Sequence, residues 1–342
     1  MKKTLIALAA VASLTSGAAF AQATITGFMA YGYAGQTKGK TAANAVTAAA
    51  VVPKTTSEGG IGLDTAEMYI TAKEDLGGGM TAGGTMGFGG MGRGEGFYGT
   101  NYSMYLQSAM GKLTLGAVKS GDYVSSGLAS SGVNYYDFGD KGNFGARSNR
   151  DIIAFEIPMG PIALTLSHQE AGNQTGAFTG GEGATGQRLS IIAGTYSAGP
   201  LKLNSQYFTY DNQVDNSQAT VANVFRLSGN YNLGMATVGG GMQKATYTFG
   251  NTATNFGLSA SVPVGALTLG AMIGSRVTDG YTTSATPTAT NTAMNGTQAS
   301  YSLNANYALS KRTGVTGQYS NWDNGVGGDK SSMTLLLLTH SF

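Results

Sequence analysis

Residues 225–231, FRLSGNY, alternate strictly between two kinds of side chain. One parity carries apolar or small residues and the other carries polar ones: Phe225, Leu227, Gly229 and Tyr231 against Arg226, Ser228 and Asn230. An alternation of period two places the two sets on opposite faces of a β-strand. The segment is therefore predicted to be a strand with one apolar and one polar face.

The same alternation recurs along the chain, for example in residues 162–168, 256–262 and 301–307. Between such segments lie seven tight connections: DLGGGM from Asp75, SAMGK from Ser108, IPMGPI from Ile157, SAGPL from Ser197, NLGMA from Asn232, VPVGAL from Val262 and ALSKRT from Ala308. Gly and Pro there supply turns between antiparallel strands. Longer polar connections alternate with them, such as residues 35–60, 121–149, 171–186 and 279–296. Seven turns join fourteen strands, and the two end segments bring the prediction to sixteen.

The first residues, MKKTLIALAAVASLTSGAAFA, combine two lysines, a short apolar run and an Ala-Phe-Ala end. This layout predicts a signal peptide at residues 1–21 and a mature domain at residues 22–342. The apolar run is shorter than the roughly 20 residues that a membrane-spanning helix needs. Without Lys2 and Lys3, 18 basic groups (20 minus 2) stand against 18 acidic groups. A neutral mature chain predicts no nucleic-acid partner.

The composition is 42% hydrophobic and only 11% charged, with no cysteine. This is too little charge for an ordinary soluble surface, and disulfides and thiolate metal sites are excluded. A closed barrel bonds every backbone group internally in lipid, and sixteen strands leave an aqueous channel. The predicted fold class is therefore all-β: a transmembrane antiparallel β-barrel of 16 strands, with apolar faces toward lipid. The final segment, SSMTLLLLTHSF, is predicted to close the barrel against the first strand.

Four further segments resemble the general porins of Gram-negative bacteria, most closely the beta-proteobacterial type. They are KEDLGGGM from Lys73, GKLTLGAVKSGDY from Gly111, RSNRDIIAFEIP from Arg147 and the final THSF. The resemblance covers the whole mature chain in strand order. It implies a homotrimer in the outer membrane, in contact with lipid and lipopolysaccharide, and an assembly machinery that reads Phe342. The chain lacks the Pro-Glu-Phe stretch of the third loop and is unusually rich in Gly.

The resemblance also implies that residues 121–149 form a third external loop that folds inward and narrows the channel. A long loop in a compact fold usually has a function, although a solvated outer loop is the alternative. Its constriction residues are predicted to be acidic, basic and aromatic: Asp122, Asp137 and Asp140, Lys141 and Arg147, and Tyr123, Tyr135 and Tyr136.

Strand parity predicts which charged side chains line the wall. The basic set is Lys73, Lys112, Arg150, Arg188, Lys202 and Arg226, and the acidic set is Glu67 and Glu156. Rings of side-chain charge filter ions by sign. The predicted function is therefore passive diffusion of ions and small hydrophilic solutes, with a weak preference for anions. For each residue, a structural ion pair or a place near the rim is the alternative.

Other chemistry is weakly indicated. Gly87, Gly89 and Gly92 match a nucleotide-binding spacing, but no helical pattern follows them. His168, His340 and the loop between Asp323 and Asp329 leave metal binding open, although no second His or Cys accompanies either histidine. An outer-membrane barrel with a solute-specific, adhesive or enzymatic role is the alternative function. The sequence favours a non-enzymatic channel without a cofactor, and the small residues of 81–92 are predicted to form the trimer interface.

Overall fold

The computed structural model describes residues 22–39, 56–90, 96, 98–119, 149–171, 187–211, 221–280 and 295–342. These residues form sixteen β-strands. In chain order they are β1 Gln22–Lys38, β2 Thr56–Gly77, β3 Met80–Gly89, β4 Tyr98–Ser108, β5 Gly111–Lys119, β6 Asn149–Met159, β7 Ile162–Ala171, β8 Gln187–Ala198, β9 Leu201–Asp211, β10 Val221–Asn232, β11 Thr237–Tyr247, β12 Thr252–Val264, β13 Leu267–Asp279, β14 Gly296–Ala308, β15 Thr313–Asp323 and β16 Lys330–Ser341. Within the described ranges, no helix is long and apolar enough to span a membrane.

Each strand pairs antiparallel with the strands before and after it, and β1 pairs with β16. The sheet is therefore a closed barrel without a free edge. The prediction of sixteen antiparallel strands, closed by the final segment against the first, is confirmed. The predicted third-loop fold concerns residues outside the described ranges.

All seven predicted tight connections join neighbouring strands. Gly160 and Gly265 occupy their turns with φ values of 66° and 62°, a conformation that favours glycine. The end of the barrel that carries these turns is called the short-turn end, and the opposite end is called the long-loop end. The connection between β11 and β12 lies at the long-loop end but is short, because only residues 248–251 join the two strands.

The two faces of the wall follow the strand alternation. In β10, Leu227 is 42% exposed on the outer face, whereas Ser228 on the inner face is 7% exposed. In β12 and β14, burial alternates residue by residue over most of each strand. The apolar outer face is the one that meets lipid in a membrane barrel.

The inner face is not polar throughout, in contrast to the sequence-based expectation. The run of four leucines is divided between the faces: Leu336 and Leu338 point outward, and Leu335 and Leu337 point inward. Two apolar patches result on the inner wall. The β16 lumen patch comprises Ala30, Trp322, Met333, Leu335 and Leu337, and the β9 lumen patch comprises Leu189, Ile191, Phe208, Val224 and Ala245.

The last residue completes the pairing between β1 and β16. Two backbone hydrogen bonds of 3.0 Å join Gly27 and Phe342, one from each N–H group. A side chain added at Gly27 would overlap the Phe342 ring. The terminal aromatic ring therefore lies directly over Gly27 on the outer face of the seam.

Candidate functional site: the inner wall of the barrel

On β2, the structure places Glu67 and Lys73 on the inner face. Glu67 lies opposite the inward Phe28, and its carboxylate accepts a hydrogen bond of 2.5 Å from the Tyr69 hydroxyl. Lys73 lies opposite Gly83 of β3, near the short-turn end, and is exposed. The Glu67 carboxylate is therefore hydrogen-bonded to Tyr69, whereas the Lys73 amine faces the lumen.

Lys112 and Glu156 also lie on the inner face near the short-turn end. They are direct register partners on β5 and β6, so opposite charges face each other across the strand pair. The Lys112 amine lies 4.7 Å from the centre of the Tyr105 ring. A base and an acid therefore occupy neighbouring positions of the wall here.

A row of register partners crosses six strands of the inner wall. It consists of side chains with guanidinium or amide groups, which we call the arginine row: Gln206, Arg226, Gln243, Asn255, Arg276 and Gln298. Arg226 Nε donates a hydrogen bond to Gln243 Oε1, and its guanidinium carbon lies 4.7 Å from the Phe208 ring centre. The row contains two permanent positive charges and no acid.

Two tyrosines connect the arginine row to Arg150. Arg150 lies on the inner face of β6 at the long-loop end, where it faces Val118 of β5. The Tyr210 hydroxyl interacts electrostatically with both Arg150 and Arg226. Arg276 donates a hydrogen bond of 3.5 Å to the Tyr247 hydroxyl. Three arginines and two tyrosines thus form one basic, aromatic region.

Lys202 is the remaining base predicted for the wall. It lies on the inner face of β9 opposite Asn230 and is exposed. The turn at Gly199 and Pro200 is two residues away. Lys202 is therefore a base of the short-turn rim, distant from Arg150 along the barrel axis.

Arg188 requires a correction, because the structure places it on the outer face. It shares a parity with Ile192, which is 58% exposed, and its Nε lies 3.3 Å from Glu170 Oε1. Its register partners are Glu170 and Asp211, both on the outer face. The sequence prediction failed because β8 carries apolar residues on both parities, so alternation alone could not identify the lipid face.

Arg276 is an inner-wall base that the sequence reasoning missed. Its strand, LTLGAMIGSRVTD, carries Leu267, Leu269, Ile273 and Val277 on the opposite parity, so the signal was present. Within the described residues, Arg276 Nε and the adjacent Asn255 Oδ1 are buried and have no hydrogen-bond partner.

The two histidines lie in strand pairs rather than in a ligand cluster. His168 contacts Glu170 and Ser190 on the outer face, and His340 Nδ1 lies 2.9 Å from the Thr313 hydroxyl. In the part of the chain that the structure describes, no group of three or more His, Asp or Glu residues could hold a metal ion. Asp323 accepts hydrogen bonds from the Lys330 amine and the Ala299 N–H.

Of two other sequence features, one lies in the described ranges and the other does not. Gly87 and Gly89 lie within strand β3, and the next described element is strand β4. The predicted constriction residues all lie outside the described ranges: Asp122, Tyr123, Tyr135, Tyr136, Asp137, Asp140, Lys141 and Arg147.

The fold matches solved porins over nearly the whole chain. An anion-selective porin from Comamonas acidovorans is 19% identical with a TM-score of 0.66, and the match covers 94% of this chain and 100% of that chain. OmpT of Vibrio cholerae, in its trimer form, is 10% identical with a TM-score of 0.66 and coverages of 94% and 99%. A variant of the Rh. blastica porin is 15% identical, with a TM-score of 0.58 and coverages of 94% and 100%.

No curated protein matches the chain. The family model for Gram-negative porins matches residues 7–327, which is most of the sequence. Together with the closed sixteen-stranded barrel, this match identifies a non-enzymatic diffusion channel of the outer membrane. The chain belongs to the Gram-negative porin family.

Proposed function

We propose that this porin conducts ions and small hydrophilic solutes with a weak preference for anions. The observation that carries the proposal is the inner-wall group of Arg150, Arg226 and Arg276, which stay positive at every physiological pH. Among the described acids of the wall, Glu156 lies opposite Lys112, and Glu67 accepts a hydrogen bond from Tyr69 that leaves its charge in place. The arginine row carries two positive charges and no acid, so this part of the wall is positive.

The preference is weak because the channel is wet. The Debye length at physiological salt is about 8 Å, so fixed charges on the wall bias ion concentrations without excluding either sign. The similar Comamonas acidovorans porin is described as anion-selective, which agrees with the proposal. The bias should decrease as the salt concentration rises.

A salt gradient across a planar bilayer tests the sign directly. The unaltered pore should give a reversal potential of the anion-selective sign at low salt. Arg150→Glu should move it toward cations more than Lys202→Glu does, because Lys202 lies at the short-turn rim. A cation-selective unaltered pore, or equal shifts in the two variants, would contradict the proposal.

The predicted inward third loop belongs to the same proposal. Its acids, bases and tyrosines, residues 122–147, would narrow the channel and oppose the basic wall. Aspartates that dominated this constriction would reverse the sign of selectivity, so the reversal potential also reports their contribution. The remaining constriction residues would set the width and hence the single-channel conductance.

Assembly is proposed to follow the export of residues 22–342 after removal of residues 1–21. Phe342 is the terminal residue that the outer-membrane assembly machinery would read, and lipid with lipopolysaccharide would surround the barrel. The wall at residues 81–92 is proposed as the trimer interface, since Ala82 and Gly84 of β3 form a shallow outer surface beside Ala72 of β2. Native mass measurement that found monomers alone would contradict the trimer.

A further inference from the structure

Although the barrel is closed, its wall has a step between β2 and β3 at the long-loop end. The pairing of β2 with β1 continues as far as Thr56. The pairing of β2 with β3 ends at Met68, which lies opposite Phe88. Among the described residues, the segment Thr56–Leu63 therefore has a strand partner on the β1 side only.

The other side of Thr56–Leu63 is here called the step edge. Residues of an antiparallel strand alternate in the direction of their N–H and C=O groups, so half of the backbone groups of this segment point away from β1. At strand rise the step edge is about 23 Å long. It is thus a local sheet edge that offers hydrogen-bond donors and acceptors to a further chain.

The connection between β3 and β4 is too short to fill the step. Gly90, after β3, and Gly96, before β4, lie in contact, because a side-chain carbon added at Gly90 would overlap the Gly96 carbonyl oxygen. The chain between them can extend out and back by at most roughly 10 Å, about three residues of a strand. Since Phe88 lies opposite Met68, this reach ends near Leu63. The remainder of the step edge lies beyond it.

The outer face beside the step edge is apolar. Ile61 is 77% exposed and Leu63 is 37% exposed. Their register partners on β1 are Tyr33 and Tyr31, which are exposed as well. The two tyrosines lie beside the outward leucines of β16. The apolar outer surface of the barrel therefore continues up to the level of Ile61.

The step edge lacks the residues that usually protect an exposed strand edge. Proteins place lysine or proline at such edges to prevent pairing with another chain. Residues 56–63, TSEGGIGL, contain neither. The one charged residue, Glu58, lies 3.3 Å from the Lys38 amine of β1. Side-chain carbons added at Gly60 and Gly62 would meet no atom within 4 Å, so space for an incoming chain is present.

The step edge and the apolar face beside it require different surroundings. Sheet edges with unsatisfied N–H and C=O groups do not occur in the hydrocarbon of a bilayer, because those groups are costly to bury without a partner. Contiguous exposed apolar side chains, in turn, mark a surface that meets lipid or protein. Another protein chain satisfies both, since it supplies hydrogen-bonding groups to the backbone and apolar contact to Ile61 and Leu63.

We propose that a neighbouring copy of this chain binds the step edge. The step opens toward β3, where residues 81–92 form the proposed trimer interface, so a copy that packs on this wall lies next to the step edge. Each copy of a cyclic trimer gives one surface and receives another, so all three step edges are covered. The inference rests on the proposed trimer and adds the strand edge that each copy contributes to it.

Photocrosslinking from a single position identifies what lies at the step edge. The chain has no cysteine, so one introduced thiol can carry one photoreactive group. Ile61→Cys is labelled with a benzophenone maleimide in the unfolded chain, which is then refolded and irradiated. The matched control is Ile192→Cys on the outer face of β8, where Ile192 is 58% exposed. Denaturing gels report the mass of the product, and native mass measurement reports the number of subunits.

The proposal predicts a covalent product of two chains with Ile61→Cys and none with Ile192→Cys. Trimers that lack this product, or that give it equally from both positions, would overturn the inference and leave the trimer itself in place. A crosslink within one chain would assign the step edge to the chain's own residues and overturn the inference too. Monomers alone would overturn both the trimer and the inference.

A lysine at the step edge gives a second measurement. Ile61→Lys should hinder pairing with another strand, as edge lysines do. The trimer should then dissociate at a lower temperature on unheated gels, while the heat-modifiable barrel persists. The control is Met235→Lys in the turn between β10 and β11, because Met235 is 79% exposed and lies at the other end of the barrel. Equal dissociation temperatures in the two variants would contradict the proposal.

Discussion

Strands β10 and β16 show two different relations between sequence and barrel face. β10 is apolar outside and polar inside, with Leu227 against Arg226 and Ser228. β16 is apolar on both sides, with Leu336 toward lipid and Leu337 toward the lumen. Lipid dictates the outer face of every strand, whereas the inner face carries polar side chains on β10 and buried apolar side chains on β16.

The largest expected effect is at the seam between β1 and β16. Gly32→Val should prevent normal closure, because its side chain would overlap the backbone carbonyl oxygen of Leu336. The control Gly194→Val places the same side chain on the outer face of β8, where no atom lies within 4 Å. Heat-modifiable, protease-resistant barrel should be lost in the first variant and kept in the control.

Replacing Phe342 by Asp should also block insertion, while export continues. The closing strand would lose its aromatic end and place a charge beside Gly27. Fractionation followed by gel mobility with and without heating would detect the effect. Normal folded barrel in the outer membrane would contradict this role of Phe342.

The next effect distinguishes the two faces of β16. Leu337→Ala should cost about 2–5 kcal/mol of unfolding free energy, because it opens a cavity among covered side chains. Leu338→Ala on the lipid face should cost less, since lipid chains are as apolar as leucine and can fill the space. Denaturant unfolding in lipid vesicles measures both. Equal costs would mean that the inner patch is not covered.

A smaller and more graded effect is expected within β10. Leu227→Arg should cost about 2–4 kcal/mol, the usual penalty for a charge near the bilayer midplane. Ser228→Arg, one residue away on the inner face, should be nearly neutral because its guanidinium reaches water. If Ser228→Arg were as costly as Leu227→Arg, the faces of β10 would be assigned wrongly.

The same contrast explains how far the sequence could predict this molecule. Strand number, order and the seven tight turns follow from alternation and from Gly and Pro, because each turn signal is local. β8 failed because Leu189, Ile191 and Ile192 make both parities apolar, and register is then poorly specified by pattern. Because of this ambiguity, Arg188 was predicted to lie on the inner face, whereas it lies on the outer face.

The inner wall was predicted only in part for a related reason. Arg226 and Arg150 could be placed because their strands have one clearly apolar parity, and Arg276 could have been found in the same way. The arginine row could not be predicted from the sequence, because it depends on which residues of six strands are register partners. The hydrogen bonds from Gly39 to Ser331 and from Asn324 to Gly39 likewise could not be predicted, because they join residues almost 300 positions apart in the sequence.

The central claim is that the inward arginines set the sign of the pore, and one paired measurement tests it most directly. Single-channel reversal potentials in a low-salt gradient should show anion preference in the unaltered porin. Arg226→Glu should shift the potential toward cations, while Arg188→Glu, the same charge reversal on the outer face, should leave it nearly unchanged. Equal shifts, or a shift with Arg188→Glu alone, would contradict the account.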